Sequence, residues 1–367
     1  MWRKAFLASA VIVAFSFAAF VACQQRSEFD YASPAYSLLF PKDHAAHPSF
    51  RTEWWYYTGH LRAASGQEFG YQLTFFRTAL SLADQPHTDG GARKQIYFAH
   101  FAITDETNGK FYHKEKQSRG TFGDANAHTE YYKVFIGNWS VQDLGKYTLL
   151  QAETDTIELT LILEPLKPAA LHGEKGYSQK GELSQNASMY YSYTRLRSIG
   201  ALTVQGQRYL VEGDSWHDHE FGTSQLEPQS VGWDWFSMQL SDSTELMLFC
   251  IRQADGSINR FSSGTFIDQS GQTQHLHKED FAVEVLETYT SKKSGATYPA
   301  KWTVRVPKLR FEATLAPTVQ DQELLTEEST RITYWEGSVK ITGMCNGQPL
   351  SGKGYVELTG YAKPISF

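Results

Sequence analysis

The sequence predicts an all-β protein built as two tandem antiparallel β-barrel domains packed against each other, and three observations carry that reading. Aromatic residues make up 14% of the 367-residue chain. They gather in runs such as "EWWYYTG", "YQLTFF", "MYYSYT" and "GWDWF", which suit pleated strands better than helices. Short apolar stretches alternate with Gly-containing turns at regular spacing and show hardly any helical period. The third observation is internal repetition, the mark of a duplicated architecture.

The repeat runs through the chain in order. "EWWYYTGHLRAASGQEFGYQLTFFR" (53–77) aligns with "GWDWFSMQLSDSTELMLFCIR" (232–252): an aromatic strand, a polar hairpin, a second apolar strand, then Arg77 or Arg252. "FAITDETNGK" (101–110) matches "GTFIDQSGQ" (264–272), a strand and a turn. "IELTLILEPLKP" (157–168) parallels "LRFEATLAPTVQ" (309–320), both closed by proline. "VQGQRYLVEGDSWHDHE" (204–220) aligns with "CNGQPLSGKGYVELTGY" (345–361) without a gap, Gly213 falling on Gly354. The expected units are therefore residues 47–222 and 223–367. Each suits a sandwich or a barrel, and long strand excursions favour barrels, which leave no open sheet edge.

Ahead of the first unit, Arg3 and Lys4 precede an apolar stretch from Ala5 to Val21, the pattern of an export signal over residues 1–22. A membrane anchor competes with it. "AAFVAC" resembles a lipobox, which makes Cys23 the lipidated first residue of the mature protein. Gln24 after it points to the periplasmic face of the outer membrane. Residues 23–46 read as a tether. Cys250 and Cys345 either pair in that oxidising compartment or remain isolated thiols.

A formal charge of −6 with interspersed signs offers no basic field for a phosphate backbone, so nucleic acid is not an expected partner. The chain has no G-x-S-x-G elbow, no glycine-rich phosphate loop and no Cys-x-x-Cys pair. Neither a cofactor nor a resident metal is expected.

The candidate site is "EGDSWHDHEFG" (212–222), a polar cluster in the closing strand of the first copy, where the second copy reads "VELTGYA". Strand alternation sends Trp216, Asp218 and Glu220 to one face and His217 and His219 to the other. Three readings compete. In an aromatic pocket, Asp218, Glu220 or Glu53 would stay protonated and work as an acid beside an imidazole. His217 and His219 would chelate a metal with a third ligand such as His100 or Glu53, although no spacing fixes one. Or the cluster is a structural network at the junction of the copies. Arg77 reads as a surface or junction ion pair before a substrate clamp, and "DHAAH" (43–47) as a solvated turn before a source of ligands.

Taken in order, "FPKDHAAHPSFRTEWWYYTGHL", "FGYQLTFFR", "SWHDHEFG", "GWDWFSMQLSDSTELMLFCIR" and "GKGYVELTGY" resemble the family of carotenoid 1,2-hydratase (hydroxyneurosporene synthase) and the AttH lipoproteins, over nearly all of the chain after residue 40. The resemblance implies two lipocalin-like barrels in tandem and a cavity for a long apolar molecule, and fungal relatives of this architecture work as pericyclic cyclases. In the hydratases a His and an aromatic side chain assist protonation and hydration of a double bond, and His219 and Phe221 stand at those places. Their acid lies on a strand corresponding to "ELMLFCIR", where this chain offers only Glu245. AttH lipoproteins go with an export-type ABC transport system, the implied partner.

Two functional readings follow. As a binding module, the protein holds a lipid or other apolar molecule, lined by Trp55, Tyr57, Arg77, His100, Trp216, Glu220, Trp233 and Trp235. As an enzyme, it hydrates, hydrolyses or cyclises such a molecule, with Asp218 or Glu53 as proton donor and His219 as base. Because the hydratase acid is missing from its strand, the binding module is the preferred expectation.

Overall fold

A computed structural model describes residues 28–80 and 95–365. The expected leader over 1–22 and Cys23 lie outside the described residues. The first sheet comprises β1 (Thr52–Ala63), β2 (Glu68–Ala79), β3 (Gln95–Asp105), β4 (Lys110–Ser118), β5 (Ala125–Ala127), β6 (Lys133–Ile136), β7 (Trp139–Asp143), β8 (Thr148–Glu153), β9 (Ile157–Pro165), β10 (Ala170–Leu171), β11 (Tyr177–Gln179), β12 (Ala187–Val204) and β13 (Gln207–Gly222). The second comprises β14 (Ser230–Leu240), β15 (Glu245–Gln253), β16 (Ser263–Ile267), β17 (Thr273–His277), β18 (Ala282–Thr290), β19 (Thr297–Val306), β20 (Phe311–Pro317), β21 (Glu323–Leu324), β22 (Tyr334–Cys345) and β23 (Gln348–Leu358).

All pairings are antiparallel, and the two sheets have the same plan. The first runs β4-β3-β2-β1-β13-β12-β9-β8-β7-β6-β5 and the second β17-β16-β15-β14-β23-β22-β20-β19-β18. The segments that align in sequence occupy matching places: β1–β2 with β14–β15, β3–β4 with β16–β17, β9 with β20, and β12–β13 with β22–β23. The first sheet curls until β3 and β4 touch β6, which makes it barrel-like. The second wraps its own core as a half-barrel.

Both interiors are filled with side chains. Trp55, Tyr57, Leu73, Phe75, Phe101 and Leu161 pack the first, and Phe236, Leu248, Trp302, Val304, Trp335 and Ile341 the second.

A further cluster lies between the sheets, where the outer faces of β1, β12 and β13 meet those of β14, β15 and β23 through Tyr56, Tyr190, Trp216, Trp235, Met247 and Phe249. Gly70 on β2 allows the close approach: a Cβ there would stand 2.5 Å from the Tyr355 hydroxyl and 2.9 Å from Ser338 Cβ. Part of the expected tether lies against the first barrel. Ala32, Ala45, Ala46 and Phe50 are buried, and Ala32 and Phe50 cluster with Tyr177, Met189 and Phe221 across one end of the first barrel. Cys250 and Cys345 are free thiols.

Candidate functional site

The strand β13 is buried on both faces from Ser215 to Gly222, so its alternation feeds two different places. His217, His219 and Phe221 point into the first barrel. Trp216, Asp218 and Glu220 point into the seam between the sheets.

At the barrel end, Glu53 is the hub. Its Oε1 accepts from His219 Nε2 at 2.8 Å and His47 Nδ1 at 2.8 Å. Its Oε2 accepts from Arg77 Nε at 3.0 Å and the His47 backbone N–H at 2.9 Å. Arg77 lies opposite Glu53 in the β1–β2 register and also donates to the carbonyls of His47 and Phe50 and to Gln95 Oε1. Asp43 Oδ1 holds the far nitrogen of His47 at 3.2 Å. The Tyr191 hydroxyl bridges His219 Nδ1 at 3.0 Å and His44 Nδ1 at 2.6 Å. Trp55 stacks on His219 and Phe221 on His47.

Burial works to raise the Glu53 carboxyl. The charges of Arg77 and His47 and the imidazole hydrogen bonds outweigh it and hold the group far below the ordinary carboxylate range. Burial lowers His219, and Glu53 opposes this only in part, so the imidazole is neutral. Glu53 thus carries no proton to give near neutrality, which removes it as the expected donor. His219 and Asp218 face opposite ways, so the expected acid and base cannot share one substrate.

The seam carries the other chemistry. On the first sheet, Tyr56, Asp218 and Ser192 form a cross-strand row. On the second, Trp235, Glu357 and Glu336 form another. Asp218 accepts from Tyr190 Oη at 2.7 Å, Trp216 Nε1 at 2.6 Å and the Ser192 hydroxyl. Burial nevertheless pushes it up to about 7. Glu357, which accepts from Trp233 Nε1 at 3.0 Å, is likewise pushed by burial up to about 7. Glu336 Oε1 accepts from Tyr56 Oη at 2.7 Å, whereas Oε2 is buried without a hydrogen-bond partner. Burial first, then the neighbouring Glu357, raises its carboxyl well above the ordinary range. Glu220 is bound by Lys180 and Ser188. Trp54, Leu226 and Trp233 are only half-buried at the seam's rim.

The remaining expected residues divide between these places. Trp55, Tyr57 and Arg77 belong to the first barrel, and Trp216, Glu220, Trp233 and Trp235 to the seam. His100 lies on the outer face of β3, bonded to Tyr334 Oη and Ser329 Oγ, and joins neither His219 nor Glu53. His217 gives Nδ1 to the Tyr56 carbonyl at 3.1 Å and does not converge with His219 on a common point, their ring centroids being 6.5 Å apart. Glu245, expected near the hydratase acid, is held between Lys167 and Arg195 at 2.7 Å each.

Sequence reasoning missed Glu336, Glu357 and His47. A usable signal existed for Glu357, since the gapless repeat places it at the position of Trp216. "VELTGYA" is therefore not the bland counterpart it resembled. His47, read as part of a solvated turn, is turned inward by Asp43 and Glu53.

The AttH-like family profile matches residues 31–361. Among solved structures, a protein from Nitrosomonas europaea assigned as AttH is similar at 35% identity and a TM-score of 0.81, over 91% of this chain and 100% of that one. Kievitone hydratase from Nectria haematococca shares the fold at 16% identity and a TM-score of 0.69, over 92% and 97%. CghA shares it more loosely, at 9% identity and a TM-score of 0.52, over 92% and 98%. No curated protein matches the chain in sequence. With the same strand order in two tandem barrel-like sheets and a family match spanning most of its length, the chain belongs to the AttH-like family.

Proposed function

We propose that this protein is an acid–base enzyme of the hydratase type, acting on the carbon–carbon double bond of an apolar molecule held in the seam between its two sheets. The observation that carries the reading is Glu336: a buried carboxyl whose second oxygen has no partner, set in an aromatic seam. Glu336 and Glu357 face each other on adjacent strands, where two ionised carboxylates repel, so at least one retains its proton.

The chemistry follows from that proton. The acid O–H of Glu336 adds its hydrogen to one alkene carbon, and the electron pair of the double bond forms the new C–H bond. The positive charge left on the other carbon faces the indoles of Trp216, Trp233 and Trp235, which favour a cation over their rings. Water attacks that carbon and loses a proton to a second seam carboxylate in its ionised form, and transfer of that proton to the Glu336 carboxylate restores the acid. Asp218 and Glu357 stand in the facing rows for that step. The same architecture houses a hydratase in Nectria haematococca, an analogy of fold alone. The carrier reading rested on the lack of a proton donor, which Glu336 supplies.

Native mass spectrometry identifies the apolar molecule that co-purifies, and incubation of that molecule with the protein in labelled water reads hydration directly. Glu336→Gln is expected to lower turnover by about 10²–10⁴-fold with the fold intact. Bound ligand that never gains labelled oxygen makes the protein a carrier, and turnover unchanged in the variant removes Glu336. Alongside this we propose the location given by the leader: export and lipid attachment at Cys23. Cys23→Ser is expected to abolish palmitate labelling and release the protein from the membrane fraction, and labelling that persists would exclude that site.

A further inference from the structure

The barrel-end cluster takes no part in the seam chemistry, yet its hydrogen bonds are arranged in an unusual way. We propose that His47, Glu53 and His219 form a site for a divalent transition-metal ion such as zinc. His47 Nδ1, His219 Nε2 and one oxygen of Glu53 converge, all within 4.8 Å of one another, and Glu53 Oε1 is 2.8 Å from each nitrogen. Four-coordinate zinc with bonds of about 2.0–2.1 Å spaces its donors roughly 3.3 Å apart. To reach that spacing the two oxygen-to-nitrogen distances lengthen by about half an ångström, and the two imidazole nitrogens, within 4.8 Å of each other, close by up to about 1.5 Å.

The independent observation is what holds the other atom of each residue. His47 gives Nε2 to Asp43 Oδ1, His219 Nδ1 meets the Tyr191 hydroxyl, and Glu53 Oε2 is taken by Arg77 Nε. Each donor thus has one atom anchored by an outer partner and the other aimed at a shared point, the arrangement that orients metal ligands. Trp55 and Phe221 fix the two imidazole planes by stacking. Buried histidines elsewhere in the chain, such as His100 and His172, also have both nitrogens bonded; what sets this cluster apart is that one atom of each of its three residues converges on the same point. Two imidazoles and one carboxylate suit zinc, cobalt(II) or iron(II) over calcium or magnesium. Three protein donors also leave a coordination position open for water or a substrate oxygen.

The ion would replace the hydrogens that His47 and His219 now direct at Glu53. For His219 this shifts the remaining hydrogen to Nδ1, facing the Tyr191 oxygen, while the Tyr191 hydrogen turns to His44 Nδ1, 2.6 Å away. No charge has to be buried without a partner. Sequence spacing could not reveal the site, because His47 and His219 are brought together only by the segment crossing the barrel end.

The full-length protein, stripped with chelator, is titrated with Co²⁺ and with Zn²⁺. The expected result is one Co²⁺ per chain with a visible ligand-field absorption, displaced by Zn²⁺, and a Tm that rises with Zn²⁺ concentration. His47→Ala and His219→Ala should each abolish the absorption. Asp43→Asn should weaken affinity about 10–100-fold, and His217→Ala should leave it unchanged. Circular dichroism confirms that each variant is folded. Native protein that binds no stoichiometric Co²⁺ overturns the site, whatever the variants do. Binding that survives in both His47→Ala and His219→Ala places the ion elsewhere, and equally overturns it.

Discussion

Glu357 and Glu53 show how one residue type acquires opposite behaviour from its surroundings. Glu53 is fully buried and Glu357 partly so, but Glu53 meets a guanidinium and two imidazoles, whereas Glu357 meets an indole N–H and further carboxyls. The consequences for stability run in opposite directions. With its carboxyl held down in the fold, Glu53 contributes stability above the ordinary carboxylate pKa, and that contribution is lost as pH falls. Glu357 is pushed from 4.5 up to about 7, so between those values the folded chain holds a proton that the unfolded chain has released. Stability from Glu357 is thus complete below about pH 4.5 and declines as pH rises towards 7, by about 1.4 kcal/mol for each pH step of one. Glu357→Gln is expected to flatten the fall in urea midpoint across that window. An unchanged slope would show that Glu357 ionises freely in the seam.

At the scale of strands, the repeat carries a shared locking device with a shifted acid. Arg77 ends β2 and pairs with Glu53, directly across the ladder. Arg252 ends β15 in the equivalent place, where its cross-strand neighbour is Gly232, and it pairs with Asp234 two residues further on. The first acid is completely buried and the second only partly. Removing Arg77 strands a buried carboxylate, so Arg77→Ala is expected to cost about 3–5 kcal/mol and Arg252→Ala distinctly less, as chemical denaturation would report. Equal costs would show that the two locks are equivalent despite their burial. The strands themselves, and their pairing into copies, were readable because aromatic alternation and turns survive duplication. Which face of β13 points inward was not readable. Periodicity reveals an inside only when the opposite face is wet, and from Ser215 to Gly222 neither is. For the same reason Glu336, in "YWEGS", gave no sign of function until β22 was placed opposite β23.

For the molecule as a whole, the two sheets turn their outer faces to each other instead of to water, and the candidate chemistry lies where they meet. The second sheet contributes Trp235, Met247, Phe249, Ile251 and Tyr355 to that face, with Trp233 at its edge. Burying a large apolar side chain is worth roughly 1.5–3 kcal/mol, so this face alone rivals the net stability of an ordinary domain, about 5–15 kcal/mol. Neither sheet could present it to solvent as a patch of that size and stay monomeric. Residues 223–367 produced alone are therefore expected to self-associate, and light scattering after size exclusion should give a mass above that of one fragment. Adding residues 28–222 in trans should restore a one-to-one complex, because Tyr56, Tyr190 and Trp216 supply the complementary surface. A folded fragment that remains monomeric at micromolar concentration would mean that the seam is weakly held, and that substrate reaches Glu336 by separation of the two sheets and not through the rim at Trp54, Leu226 and Trp233.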